Sequence, residues 1–266
     1  MVLKLGSTTR PWHIWSFDQA CKSIAHAGYK EVSIYSHEGK IPVNSESSPS
    51  EIAETSAIMK KYKLVPSMVL GSPRLELSVD DAVADYKKLI DATSAAGCKW
   101  LMNGGVGEES LYEKFLEIMR QSSAYAVKKG VEILLKPHGG IGLTGKDLAK
   151  AVEKVNNSAF RICYDPGNII YYTKGKVRPE GDVADVAEYV TYCIIKDCLL
   201  KADGEPDVWI LPTEGLVDFP DVLGKLVKAG FKGPLHVECL GGSELDDVDK
   251  RAWKTREWLE QLTERL

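Results

Sequence analysis

The sequence has no run approaching the roughly 18 consecutive apolar residues that span a bilayer, so a membrane-crossing helix is not expected. It has no excess of positive charge either. With 34 Lys and Arg against 38 Asp and Glu the net charge is −4, and the lysines are dispersed, so the electrostatic footprint of a nucleic-acid binder is missing. The opening MVLKLGSTTR carries Lys4 and Arg10 where a secretory signal would carry an apolar stretch, and a cytoplasmic protein is expected. Cysteine is sparse and scattered (Cys21, Cys98, Cys163, Cys193, Cys198, Cys239), several in apolar runs where a reduced thiol behaves as a small hydrophobe. No second pair joins Cys193 and Cys198 at zinc-finger spacing, so a structural zinc is not expected. No linker or low-complexity segment divides the chain, and one domain over 1–266 is the expected organisation. These absences leave a small molecule as partner, and they leave room for a homo-oligomer.

What is present is an alternation. Runs rich in Val, Ile, Leu and Tyr predict strands at Leu3–Thr8, Glu31–Tyr35, Val65–Leu70, Trp100–Met102, Val131–Leu135, Phe160–Tyr164, Thr191–Ile195 and Pro234–Val237. Between them lie helical patterns with capping residues: Ser16 before Phe17–Ala27, Ser48 or Ser50 before Glu51–Tyr62, Ser78 before Val79–Ala96, and Thr144 before Gly145–Val155. "AHAGYKE", "SAAGCKW", "VKKGVEI" and "VKAGFKG" each stop a helix at glycine and resume an apolar strand. Eight βα units with no G-x-G-x-x-G after the first strand predict an α/β fold, a single (β/α)8 TIM barrel. The irregular stretches 174–182 and 199–216 follow strands six and seven and would form loops over the mouth.

In such a barrel the last polar residues of the strands face the mouth. Strand two ends in His37-Glu38, strand four in Asn103, strand five in Lys136-Pro137-His138, strand six in Asp165-Pro166-Gly167-Asn168, strand seven in Lys196-Asp197 and strand eight in Glu238. Glu238 interrupts an apolar strand, and an unpaired buried carboxylate is costly, so it predicts a metal or cationic partner. Catalytic roles are expected for Glu238, Lys136 and His138. Substrate contacts are expected for His37, Asn103, Asn168, Lys196, Asp197 and Glu214. His13, His26 and His236 have no supporting constellation and read as structural.

The segments "CYDPGN", "IIKDC", "LPTEGLVDFPDVL" and "GFKGPLHVE" resemble the sugar phosphate isomerase/epimerase family, the xylose isomerase-like barrels, over nearly the whole chain. The resemblance implies a divalent metal (Mn, Mg, Co or Zn) held by Glu, Asp, His and Glu at the ends of strands five to eight. Asp165 and Glu238 match two of these positions, whereas Lys136 and Ile194 stand at the other two. Two readings follow. Either Lys136 replaces the ion as a built-in cation, or a reduced metal shell of Asp165, Glu238 and His138 survives. The implied function is a sugar isomerase/epimerase-like enzyme that abstracts a proton α to a carbonyl of a monosaccharide or keto-sugar. The alternatives are a lyase or hydratase eliminating from a keto-glycoside or inositol-like ring, and a non-catalytic sugar-binding barrel.

Overall fold

The computed structural model describes residues 3–266, so the first two positions of the expected domain lie outside the described residues. In chain order, β1 (Leu5–Thr8), α1 (Phe17–His26), β2 (Glu31–Ile34), α2 (Pro49–Lys61), β3 (Val65–Leu70) and α3 (Val79–Ala95) lead to β4 (Trp100–Asn103) and α4 (Tyr112–Lys129). β5 (Glu132–Leu135), α5 (Gly145–Val155), β6 (Phe160–Tyr164), α6 (Pro166–Thr173), α7 (Pro179–Asp182) and β7 (Val190–Ile195) follow. A short hairpin, β8 (Leu199–Leu200) with β9 (Pro206–Asp207), precedes α8 (Phe219–Lys228), β10 (Leu235–Val237) and α9 (Leu245–Thr263). The strands other than the hairpin close a parallel barrel in the order β1-β10-β7-β6-β5-β4-β3-β2.

Each expected strand is present, with ends shifted by at most two residues, and the helix starts follow their caps. The Ser16 hydroxyl accepts from Gln19 N, while Ser48 and Thr144 form reciprocal capping boxes with Glu51 and Asp147. The four punctuating glycines, Gly28, Gly97, Gly130 and Gly230, all have positive φ (93°, 79°, 67° and 95°), the conformation in which a helix chain turns back toward a strand. The stretches expected to be irregular hold short elements: 174–182 contains α7, and 199–216 contains the hairpin. The Asp165 turn opens α6, whose first turn starts with Pro166.

Inward-facing strand residues form layers. The lowest is polar: Ser33 Oγ lies 2.9 Å from His236 Nδ1 and 2.7 Å from Tyr192 Oη, and Ser67 donates to Glu31 Oε2 at 3.1 Å. His236 fits only because β1 has glycine opposite it. A Cβ on Gly6 would stand 2.2 Å from His236 Nε2. Above this, Tyr35, Met68, Met102, Leu134, Cys163 and Ile194 pack as a cluster separate from the outer core that the helices cover. All six cysteines are free and buried, as small hydrophobes are. No helix of the described residues is long and apolar enough to cross a membrane.

Candidate active site

One step further along the same inward-facing rows, past Leu134, Cys163, Ile194 and His236, come Lys136, Asp165, Lys196 and Glu238. Two residues advance one layer on a strand, so this parity puts four ionisable side chains into the uppermost layer. They are at most 3% exposed. Lys136 Nζ lies 3.0 Å from Asp165 Oδ2 and touches Glu238 Oε2; Lys196 Nζ lies 2.8 Å from Asp165 Oδ2 and 3.1 Å from Glu238 Oε1. Asp165 Oδ2 sits off the hydrogen-bonding direction of both ammoniums, so those contacts are ionic. Its Oδ1 accepts from Asn168 N at 2.9 Å and so caps α6. Tyr35 Oη donates to Glu238 Oε2 at 3.1 Å, and Arg10 Nε stands 3.7 Å from Glu238 Oε1.

Burial alone would discharge these groups, and their neighbours outweigh it. Burial pushes the Lys136 and Lys196 ammoniums down, yet Glu238 and Asp165 hold both above the ordinary lysine value. Burial likewise pushes Glu238 up, but Lys136, Lys196 and Arg10 hold its carboxyl well below the usual carboxylate range. The cluster is two cations on two anions.

The "DPGN" motif has a mechanical reason. A Cβ on Gly167 would come within 2.5 Å of the Lys196 carbonyl, so only glycine lets α6 lie against the end of β7. The Asn168 amide donates to the Pro137 carbonyl at 2.6 Å and ties the loop after β5 to the same place. His138 follows in that loop, exposed at the mouth, its ring 5.0 Å from Tyr172. Partial enclosure of the ring by the surrounding loops, then Lys136 and Lys196, push its imidazole below its ordinary value of 6.5.

A cavity of about 300 Å³ opens above the cluster, lined among others by Arg10, His138, Asn168, Lys196, Trp209 and Glu238. Lys136 and Asp165 are not part of its wall. Beside it a smaller cavity of about 160 Å³ reaches Tyr35 and shares Arg10 and Trp209.

Of the expected site residues, Lys136, Asp165, Lys196 and Glu238 meet, and His138 and Asn168 border the same cavity. Four do other work. The Asp197 carboxylate accepts the backbone N–H groups of Cys198, Thr213, Gly215 and Val217 at 2.8–3.0 Å, which pins the 213–217 loop and leaves nothing for a ligand. It points away because it follows Lys196 directly, and adjacent strand residues face opposite sides. Asn103 is fully buried and accepts from Gly105 N, His37 packs on Phe17 and bonds the Trp15 carbonyl, and Glu214 is exposed and caps Leu211 N. Arg10, Tyr35 and Trp209 were not anticipated. Arg10 stands two residues past the end of β1 and opens a 3-10 turn, where strand alternation no longer tells which way a side chain faces; Trp209 follows a hairpin with no clear sequence mark.

The donors do not fit the expected metal. Both Glu238 oxygens and Asp165 Oδ2 face ammoniums, Asp165 Oδ1 is taken by the helix, and Ile194 offers no lone pair. No three His, Cys, Asp or Glu side chains of the described residues are grouped to hold an ion, so the structure does not bring Asp165, Glu238 and His138 together as a reduced shell. Two ammoniums beside two carboxylates would repel a dication at short range.

No curated protein matches the chain by sequence. Similar folds recur among solved structures. A xylose isomerase-like TIM barrel protein from Mycobacterium smegmatis in complex with magnesium shares 16% identity over 98% of this chain and 97% of its own, with a TM-score of 0.79. D-psicose 3-epimerase with D-tagatose from Clostridium cellulolyticum H10 shares 13% over 98% and 99%, TM-score 0.77. D-allulose 3-epimerase from a Methylomonas species in complex with D-allulose shares 19% over 97% and 96%, TM-score 0.74. With the family signature matching residues 21–262, the chain belongs to the xylose isomerase-like TIM barrels.

Proposed function

We propose that the chain is a sugar isomerase/epimerase-like enzyme that removes a proton beside the carbonyl of a monosaccharide or keto-sugar, using a pair of lysines in place of a divalent ion. The observation that carries this reading is the Lys136–Asp165–Lys196–Glu238 cluster beneath the cavity. Each ammonium has three N–H donors and spends one on Glu238, its contact with Asp165 being ionic, which leaves Lys196, on the cavity wall, with donors for a substrate oxygen. A fixed cation at that point stabilises the oxyanion that develops when the α-proton leaves. Similar folds solved with D-tagatose and D-allulose support the sugar class.

The proton acceptor in this reading is His138, which is neutral near pH 7 and open to the cavity. Glu238 is held so firmly ionised by its lysines that it is a weak base, and its role becomes positioning Lys196. One base rather than two favours transfer on one face, as in isomerisation, over a symmetrical epimerisation. Elimination from a keto-glycoside shares the first step. The weak basicity of Glu238 favours a second reading, a sugar-binding barrel without turnover.

Solvent deuterium incorporation into a panel of ketoses and keto-sugars separates these readings. Exchange at the α-carbon is expected, undiminished by excess chelator, and lost in Lys196→Met and His138→Gln. Absence of exchange across the panel would leave only the binding barrel, and exchange that chelator abolishes and manganese restores would refute the lysine pair.

A further inference from the structure

The positive charge of the mouth is not fully answered by the protein itself. Four cations, Arg10, Lys136, Lys196 and Lys201, stand in or beneath the cavity against three carboxylates, Asp165, Asp207 and Glu238. Lys201 pairs with Asp207 at 3.3 Å, and the two buried lysines balance Asp165 and Glu238. Arg10 is left with a share of Glu238, at 3.7 Å, on a carboxylate already holding two ammoniums and a phenol, and with the neutral Cys239 thiol beside it. Its Nε is buried and has no hydrogen-bond partner. An unpaired guanidinium donor next to a cavity, in a chain whose overall charge is −4, is a local inversion of sign.

Geometry sets what would answer it. The Arg10 guanidinium carbon lies over the Trp209 ring, 5.5 Å from its centre, and the side chain borders both mouth cavities. The planar guanidinium fork matches a carboxylate, which it grips with two parallel N–H bonds. One uncompensated positive charge is neutralised by a monoanion, whereas a phosphate dianion would overshoot it. We infer that the substrate is a sugar acid, a monosaccharide or keto-sugar bearing a carboxylate that Arg10 binds at the rim while the reacting carbonyl lies toward Lys196. This rests on the proposed site, but it concerns binding rather than chemistry.

The test is calorimetric titration with the neutral, uronic acid and 6-phosphate forms of glucose, galactose and mannose, ligands that differ in one substituent. At least one acid is expected to bind about 10- to 100-fold more tightly than its neutral partner, the range for one charge-assisted hydrogen-bond pair. That advantage should shrink with added salt and disappear in Arg10→Gln, with Arg10→Lys retaining part of it. Neutral sugars binding as well as acids, phosphates binding more tightly than acids, no acid binding at all, or a preference that survives Arg10→Gln would each overturn the assignment. A charge preference without deuterium exchange would sink the proposed chemistry and keep this inference; exchange confined to neutral sugars would do the reverse.

Discussion

Lys136→Met is the sharpest probe of the cluster, because methionine keeps a chain of similar length while deleting one of two buried cations. At 3.0 Å and an effective dielectric near 20, the Lys136–Asp165 contact alone corresponds to about 5 kcal/mol of attraction. Much of that is offset by the desolvation of the ammonium and by its repulsion from Lys196. What remains after the substitution is two buried carboxylates sharing one buried cation, with Arg10 at 3.7 Å from Glu238, and removing one partner from such a buried set costs about 3–5 kcal/mol. Adding Glu238→Gln leaves Lys196 with Asp165, a neutral pair. The double variant should therefore be more stable than Lys136→Met alone, with a coupling of about 2–3 kcal/mol. Urea unfolding followed by tryptophan fluorescence reads this: at a slope of roughly 3 kcal/mol/M the single variant's midpoint drops by about 1 M or more, and the double recovers most of it. A single-variant cost under about 1 kcal/mol, or costs that simply add, would show that the four side chains do not act as one electrostatic unit.

Stability should also depend on pH with a defined sign. Glu238, held below its ordinary 4.5, contributes stability that is complete above about pH 4.5 and is lost as pH falls toward its folded value; Lys136 and Lys196, held above 10.5, contribute below about pH 10.5 and lose it as pH rises. The unfolding free energy of Lys136→Met/Glu238→Gln should accordingly fall less steeply in acid than that of the wild type, and parallel curves would contradict the assignment. Gly6→Ala should cost about 2–3 kcal/mol, because its Cβ would meet the fully buried His236 ring at 2.2 Å, and much less in a His236→Ala background. Equal costs in both backgrounds, measured by the same urea midpoints, would place the strain elsewhere.

The βα rhythm was legible in the sequence because its causes are local. Capping hydroxyls at Ser16, Ser48, Ser78 and Thr144 and left-handed glycines at Gly28, Gly97, Gly130 and Gly230 act within a turn of where they stand. So did the uppermost layer in part, since Lys136, Asp165 and Glu238 are polar residues ending apolar strands. The hairpin at Leu199–Asp207 escaped because strands of two residues carry no period.

Composition by itself showed no apolar run long enough for a membrane-crossing helix, and strand periodicity determined the barrel, since eight parallel strands with covering helices have few ways to bury their apolar faces. Only the tertiary structure decided which strand-end residues share a point. Lys196 and Asp197 are neighbours in sequence, yet one completes the charged cluster and the other pins a loop, because adjacent strand residues face opposite sides of the barrel wall. Arg10, Lys136 and Glu238 are more than a hundred residues apart and meet through barrel closure, a long-range event that leaves no mark on any one segment.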